Sequence, residues 1–257
     1  MQLKKLAFRT LSLPHYLRFL QWGYFTAYHL GILRNSPIYI YHYFVKNLIR
    51  KGDYVLDIGA NLGYYSKLFS AWVGDEGKVF AVEPVRPYNE AFRKATRKRK
   101  NIVLYPYALG TEEKEITMVA PLYAGYLHTG LPHVDDGKKG NEPEIEALTF
   151  RAEMKIPSRL FGDLEKLDYI KCDIEGFETT VLEDLEEVIR RHKPVVQAEI
   201  LEPNQPEMLD FFRSLGYEAY QLYGGQLTKI VRLPALIDGD FIFLPAGTER
   251  FGHLIAQ

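Results

Sequence analysis

The chain has 257 residues, 47% of them hydrophobic and 25% charged, a composition that supports a full globular core and excludes a disordered or fibrous chain. Its formal net charge of -1 provides no global basic field of the kind that draws nucleic acid. The single cysteine, Cys172, excludes an intramolecular disulfide framework and any clustered-cysteine metal site, so a reducing, cytoplasmic setting is expected.

Residues 1–50 read as an aromatic-rich, mainly helical amino-terminal segment ahead of a main domain over 51–257. Bulky aromatics, prolines and basic residues are interleaved throughout, unlike a signal peptide. The longest uncharged run, Phe19 to Leu33, includes Gln21 and His29 and falls short of the roughly 20 apolar residues of a spanning helix, so no transmembrane segment is expected. Leu17, Leu20, Tyr24 and Tyr28 recur at helical spacing, which predicts an amphipathic helix packed on the main domain or on a second copy in a homo-oligomer. Peripheral membrane contact is the alternative, because Lys4, Lys5 and Arg9 accompany the aromatics.

From Tyr54 onward, short apolar runs alternate with helical patterns, the signature of an α/β protein built on a mostly parallel sheet with helices on both faces. Strands are predicted at Tyr54–Ile58, Lys78–Val82, Ile102–Tyr107, Tyr169–Cys172 and Val195–Ile200. Helices are predicted at about Tyr64–Trp72, Tyr88–Arg99, Thr179–Arg191 and Glu207–Leu215. Tyr217–Leu222 and Asp240–Leu244 read as closing strands, one of them antiparallel. Between Val119 and Leu160 no helix or strand period is sustained, and this insertion reads as a loop of the kind that covers an active site. Arg93 to Lys100, with six basic residues of eight, reads as a solvated helix end, with an anionic-lipid or nucleic-acid patch as the lesser reading.

The first strand runs into Asp57, Gly59, Asn61 and Gly63, a D-x-G-x-N-x-G turn that opens a helix at Tyr64, Tyr65 and Ser66. Glycines there let the backbone approach a ligand, and the free amides of the helix start favour a carboxylate. A P-loop requires Lys followed by Ser or Thr after its last glycine, where this chain has Tyr64 and Tyr65. A dinucleotide turn requires glycine where Asn61 and Tyr64 stand, which leaves an NAD-linked oxidoreductase as a weaker alternative. S-adenosylmethionine, which has no pyrophosphate, tolerates the bulkier turn. Its ammonium falls within reach of Asp57, directly or through water, and Glu83, followed by Pro84, can accept ribose hydroxyls at the second strand end. Tyr107 and Ala108, with Leu109 and Gly110, can border an adenine ring. A noncatalytic adenosine-ligand-binding protein would use the same residues.

Chemistry is expected at the fourth strand, which delivers Asp173, Glu175 and Glu178 to the ligand edge of the sheet, and at Glu199, which ends the fifth. Asp173 is the leading candidate for catalytic or cofactor duty, against a role as a helix cap. Asp173 and Glu199 converge from adjacent strands, where they could act on an acceptor proton or hold a divalent cation. The alternative for Glu175 and Glu178 is pairing with Lys171 or a place in the next helix's first turn. His128 and His133 in the insertion are weaker candidates for a base. Cys172 alternates away from Asp173 and reads as a buried apolar residue.

These segments resemble the FkbM family of methyltransferases: D-I-G-A-N-L-G-Y-Y-S (Asp57 to Ser66), V-F-A-V-E-P (Val79 to Pro84), A-L-G (Ala108 to Gly110), Y-I-K-C-D-I-E-G-F-E (Tyr169 to Glu178) and D-G-D-F-I-F-L-P (Asp238 to Pro245). The resemblance implies a Rossmann-like class I methyltransferase fold. It also implies S-adenosylmethionine-dependent O-methylation of a hydroxyl on a small molecule, sugar or glycan. Tyr107 stands where the family often has Asn, and the histidine-rich insertion looks longer than usual; both departures bear on the acceptor.

Overall fold

The computed structural model describes residues 2–134, 146–231 and 239–256. The amino-terminal segment contains helices α1 (Gln2–Thr10), α2 (Leu13–His29) and the short α3 (Ile40–Phe44). Tyr16, Leu17, Gln21, Tyr24 and Phe25 form the buried stripe of α2, so the helical spacing was correctly read. The helix packs on the same chain, where Gln21 Nε2 donates to the Leu62 carbonyl at 2.7 Å and the Tyr16 hydroxyl to that of Leu127 at 3.1 Å. Among the described residues no helix is long and apolar enough to cross a membrane.

The alternating units follow in order: β1 (Tyr54–Ile58), α4 (Tyr64–Val73), β2 (Lys78–Val82), α5 (Arg86–Thr96) and β3 (Ile102–Tyr105). Helix α5 begins two residues before the predicted Tyr88 because Pro87 suits a first turn, where its missing N–H has no partner to lose. Arg93 and Lys94 lie in its last turn, where cations complement the helix dipole. The predicted third strand, Ile102–Tyr107, is split at Pro106, which cannot donate to a ladder. Tyr107 therefore leaves the main sheet and starts a second one.

That second sheet occupies most of the stretch expected to be a loop, and the expectation is corrected here. Strand β4 (Tyr107–Leu109) pairs in parallel with β8 (Ala147–Lys155), which pairs antiparallel with β5 (Lys114–Tyr123) over eight residue pairs. Two short strands, β6 (Tyr126–Leu127) and β7 (His133–Val134), fold back on β5. The pattern was obscured because β8 faces water along one side and alternates charged with apolar residues, while Pro121 interrupts β5. Residues 135–145 of the predicted insertion lie outside the described residues, as does Asp238 of the last motif.

The short α6 (Pro157–Phe161) leads back into the main sheet through β9 (Tyr169–Cys172), α7 (Glu178–Asp184), α8 (Glu186–His192), β10 (Val195–Glu199) and α9 (Gln205–Ser214). The predicted Thr179–Arg191 helix is thus two helices meeting at Leu185. The chain closes with β11 (Tyr217–Tyr223), β12 (Gln226–Lys229) and β13 (Asp240–Pro245). Strand β12, which sequence reading missed, forms a hairpin with β11 across Gly224 and Gly225.

The main sheet has the order β12-β11-β13-β10-β9-β1-β2-β3. Its last five members are parallel, and β13 is antiparallel to both β10 and β11. Strand alternation divides two cores. Leu56, Ile58, Ile170, Cys172, Val196 and Ala198 pack beneath α7, α8 and α9, and Val55, Val79, Tyr169 and Val195 beneath α4 and α3. Cys172 is fully buried in the first core, as its alternation predicted.

Candidate active site

The second face of the sheet carries a polar stripe. Asp57, Lys171 and Gln197 stand side by side in register across β1, β9 and β10, each almost completely buried. The Tyr169 hydroxyl donates to Gln197 Oε1 at 2.9 Å, and Gln197 Nε2 donates to the Tyr65 hydroxyl at 3.2 Å. Asp57 accepts the Ser66 hydroxyl on one oxygen, while its other oxygen is buried without a hydrogen-bond partner. Burial raises the Asp57 carboxyl and Lys171 opposes that rise. Such a stripe is stable only when its charges are matched, and Lys171 provides the match: its Nζ lies 2.9 Å from Asp173 Oδ2 and 5.1 Å from the Tyr65 ring centre.

The stripe ends at a cavity at the carboxyl edge of β1, β2 and β9. It encloses about 920 Å³ of space, that of its open mouth included. One wall is the glycine turn. Gly59 and Ala60 donate to the Val82 carbonyl at 3.1 and 2.9 Å, and Asn61, left-handed at φ 50°, accepts the Leu62 amide on its own Oδ1. The Asn61 amide donates to Glu83 Oε2 and the Val85 amide to Glu83 Oε1, both at 2.8 Å, so one carboxylate ties the first turn to the second. Burial pushes Glu83 up to about 7, against the two amides. No side chain caps α4 at Gly63, leaving its first amides without an intrahelical partner.

The two glycines serve a purpose beyond the one expected. A Cβ on Gly59 would lie 1.8 Å from the Asp173 carbonyl oxygen, and one on Gly63 would lie 2.8 Å from Phe92. Both admit close approach of protein to protein, which closes β1 on β9 and α4 on α5.

The opposite wall is the loop after β9. Asp173 lines the cavity, half-buried, and its carboxyl is lowered: burial acts against ionisation, but Lys171 and a hydrogen bond with Glu199 outweigh it. Glu199 itself is raised by partial burial and by the Asp173 charge. The two carboxyls are thus pushed in opposite directions, Asp173 toward its ionised form and Glu199 toward its neutral one. Among the described residues no group of three or more His, Cys, Asp or Glu side chains is gathered as metal ligands would be. Lys171 already stands 2.9 Å from Asp173, so the positive charge beside this carboxylate comes from the chain itself. Glu175 also lines the cavity, from a left-handed backbone at φ 53°, and burial, Asp173 and Glu178 raise it to about 7. Glu178 is structural: it accepts the Ile174 and Gly176 amides at 2.8 and 2.9 Å and fixes the loop. Neither Glu175 nor Glu178 forms an ion pair with Lys171, and Asp173 does not cap α7.

Of the predicted cofactor residues, Gly59, Asn61, Tyr64, Tyr65, Glu83, Pro84, Tyr107, Ala108 and Asp173 line the cavity. Asp57, Gly63 and Ser66 sit one layer behind and hold that wall. Neither insertion histidine reaches the cavity: His128 stacks on Tyr126 at 4.4 Å in a neighbouring groove, and His133 is exposed on β7. The second sheet does contribute Met118, Thr129, Pro132 and Val134, and Asn61 Nδ2 anchors the Thr129 carbonyl at 2.5 Å.

Sequence reasoning missed His42. It comes from α3, lines the cavity, stacks on Tyr65 at 4.0 Å and places Nδ1 2.5 Å from the Tyr24 hydroxyl. Burial and the Lys171 charge lower it to about 3, so it is a neutral imidazole. Its only signal in the sequence was a histidine set among tyrosines.

Because Lys171 has Asp173 as its close partner, Asp173→Asn is expected to lower stability by about 1–2 kcal/mol. That is less than the 3–5 kcal/mol for breaking a fully buried pair, because Asp173 is partly exposed and Asp57 still faces the ammonium. Urea unfolding of both proteins measures the difference, and Lys171→Met in the same background should recover part of it.

A parallel sheet closed by an antiparallel strand, with an uncapped helix start and an acidic second strand end around one cavity, is the class I methyltransferase fold. The chain belongs to the FkbM methyltransferase family: the sequence model of the "Methyltransferase FkbM domain" matches residues 57–219. It is similar in fold to methyltransferase FkbM from Methylobacillus flagellatus KT (16% identity, TM-score 0.50), covering 78% of this chain and 46% of that one. Weaker likenesses are a SAM-dependent O-methyltransferase from Thermotoga maritima (15%, TM-score 0.40, 76% and 59% covered) and Aeropyrum pernix fibrillarin with natively bound S-adenosyl-L-methionine (13%, TM-score 0.43, 76% and 67% covered). The chain thus spans about half the length of the first structure. No curated protein matches it.

Proposed function

We infer that this chain transfers a methyl group from S-adenosylmethionine to a hydroxyl of a sugar, glycan or related polyhydroxylated metabolite. One observation carries the reading: a single cavity joins an uncapped helix start and a buried Glu83 on one wall to a carboxyl poised near neutrality, Glu175, on the other. The first wall fits the cofactor, because the α4 amides suit its carboxylate and Glu83, already oriented by two amides, retains lone pairs for ribose hydroxyls. The apolar stretch from Tyr107 to Leu109 suits adenine.

When bound, the cofactor supplies an electrophilic methyl on a sulfonium; the acceptor oxygen's lone pair forms the new O–C bond as the C–S bond breaks to a neutral thioether. The protein's share is to orient the acceptor, exclude water and remove its proton. Glu175, ionised above about 7, takes the hydroxyl proton. Asp173, fixed by Lys171 and Glu199, accepts a hydrogen bond from a neighbouring hydroxyl, and His42 offers a neutral polar edge. Polyhydroxylated acceptors suit this density of acceptors, and Lys171, 2.9 Å from Asp173, supplies a positive charge there without a bound cation. Incubation of the purified protein with labelled S-adenosylmethionine and a panel of sugars, with and without chelator, read by mass spectrometry, tests this. Label on nitrogen or carbon would overturn it, as would abolition by the chelator for the metal-free form.

Ribose hydroxyls donate best to an ionised carboxylate, so binding favours the deprotonated Glu83. Affinity for S-adenosylhomocysteine should therefore rise with pH, by up to about tenfold per unit, and level off above about 7. Titration calorimetry from pH 5.5 to 8.5 measures it. In Glu83→Gln the slope should vanish, and one of the Asn61 and Val85 amides should face a side-chain NH2 instead of an acceptor.

A further inference from the structure

Behind Tyr64, Thr129 and Gly130, which also line the cavity, lies a larger groove of about 1,660 Å³ between α2 and the β6 hairpin. Its floor is apolar and aromatic, with Tyr16, Phe19, Leu20 and Tyr24 from α2 and Leu127 opposite. Its lips, Leu3 and Ile38, are 66% and 78% exposed. Leu6, Trp22, Leu30 and Ile32 of the same amino-terminal segment are exposed as well. The described lining includes Lys4 and His128 and no acidic residue, in contrast with the three carboxylates of the cavity. The two spaces lie side by side: Tyr64, Thr129 and Gly130 line both, and the Tyr24–His42 contact stands between them. An amphiphile with its hydroxylated end in the cavity would reach the groove over this shared wall.

We propose that the groove holds the aliphatic chain of the methyl acceptor, so that the acceptor is an amphiphile with a hydroxylated headgroup and an uncharged or anionic link. The proposal rests on the methyl-transfer reading and narrows its substrate class. The wall shared with the cavity favours the acceptor's own chain over a second protein copy.

Gly23 provides the test. It sits in the interior of α2, lines the groove, and has nothing within 4 Å of where a Cβ would stand, so Gly23→Phe is the substitution that introduces bulk there. Dodecyl and methyl β-glucoside are titrated calorimetrically into the full chain saturated with S-adenosylhomocysteine, below the dodecyl compound's micelle threshold. Each buried methylene is worth roughly a fourfold gain, so burying four should favour the dodecyl compound on the order of 100-fold. Gly23→Phe should remove that preference, and Ile38→Asp, on the exposed lip where folding is not at stake, should reduce it several-fold. Equal binding of the two glucosides, a preference that survives both substitutions, or displacement of S-adenosylhomocysteine by the dodecyl chain would overturn the proposal. So would a dimer by sedimentation that Gly23→Phe dissociates, which would assign the groove to a second copy. Binding of S-adenosylhomocysteine without a dodecyl preference would reject the chain site alone. A dodecyl preference without S-adenosylhomocysteine binding would reject the methyl-transfer reading and the acceptor role with it.

Discussion

Gly59→Ala should fail to give a folded protein, or should lose more than about 4 kcal/mol, placing it among the rare substitutions with diagnostic effects. Two costs combine. The backbone at φ 79° is left-handed, which alone costs a residue with a Cβ on the order of 1–3 kcal/mol. The added carbon would also lie 1.8 Å from the Asp173 carbonyl oxygen and 2.9 Å from its carbon, and both are backbone atoms that no rotamer change can move. Strands β1 and β9 would have to part where the Asp173 amide donates to the Ile58 carbonyl at 3.2 Å, carrying Asp173 away from Lys171 and Glu83 away from its amides. Gly23→Ala is the control: in a helix interior with open space around it, it should stabilise by about 1 kcal/mol. Urea midpoints followed by circular dichroism distinguish the two. A Gly59→Ala protein within 1 kcal/mol of the parent, on the scale of that control, would mean that the strand ends are free to separate.

The main sheet and the glycine-turn wall of the cavity were legible because they are local. A run such as Val55 to Ser66 contains strand, turn and helix start in twelve residues, and its hydrophobic period, glycines and following acid all state the same structure. The glycines were found correctly for an incomplete reason: the sequence cannot show that the atom crowding Gly59 belongs to Asp173, 114 positions further on. The same distance hid the second sheet, whose β5 and β8 are joined only through tertiary pairing and whose exposed faces blur the period-two signal. Lys171 read as one basic residue among acids until the register set it beside Asp57 and Gln197 under α4. His42 was illegible for a related reason, since nothing in α3 announces that it will stack on Tyr65 from another element.

The largest effect on activity should follow Glu175→Gln, which is expected to lower kcat by about 10²–10⁴, the usual contribution of a positioned base. The substitution keeps size and a hydrogen-bonding edge but cannot accept the acceptor's proton. It also removes a charge that Asp173 and Glu178 disfavour, so stability should hold or rise and S-adenosylhomocysteine should still bind. The pH profile separates a base from a mere contact. In the parent protein kcat/KM for the acceptor should climb with pH and level off at or below about 7, since a positively charged sulfonium nearby favours the ionised carboxyl. In Glu175→Gln that ascending limb should disappear, and the residual rate should depend on pH only through Glu83 and cofactor binding. Should the limb persist unchanged in the variant, Glu175 is not the base, and Asp173, ionised on the same wall, is the next candidate to accept the proton. Glu199→Gln would then move the limb, while leaving the Lys171 contact to Asp173 in place.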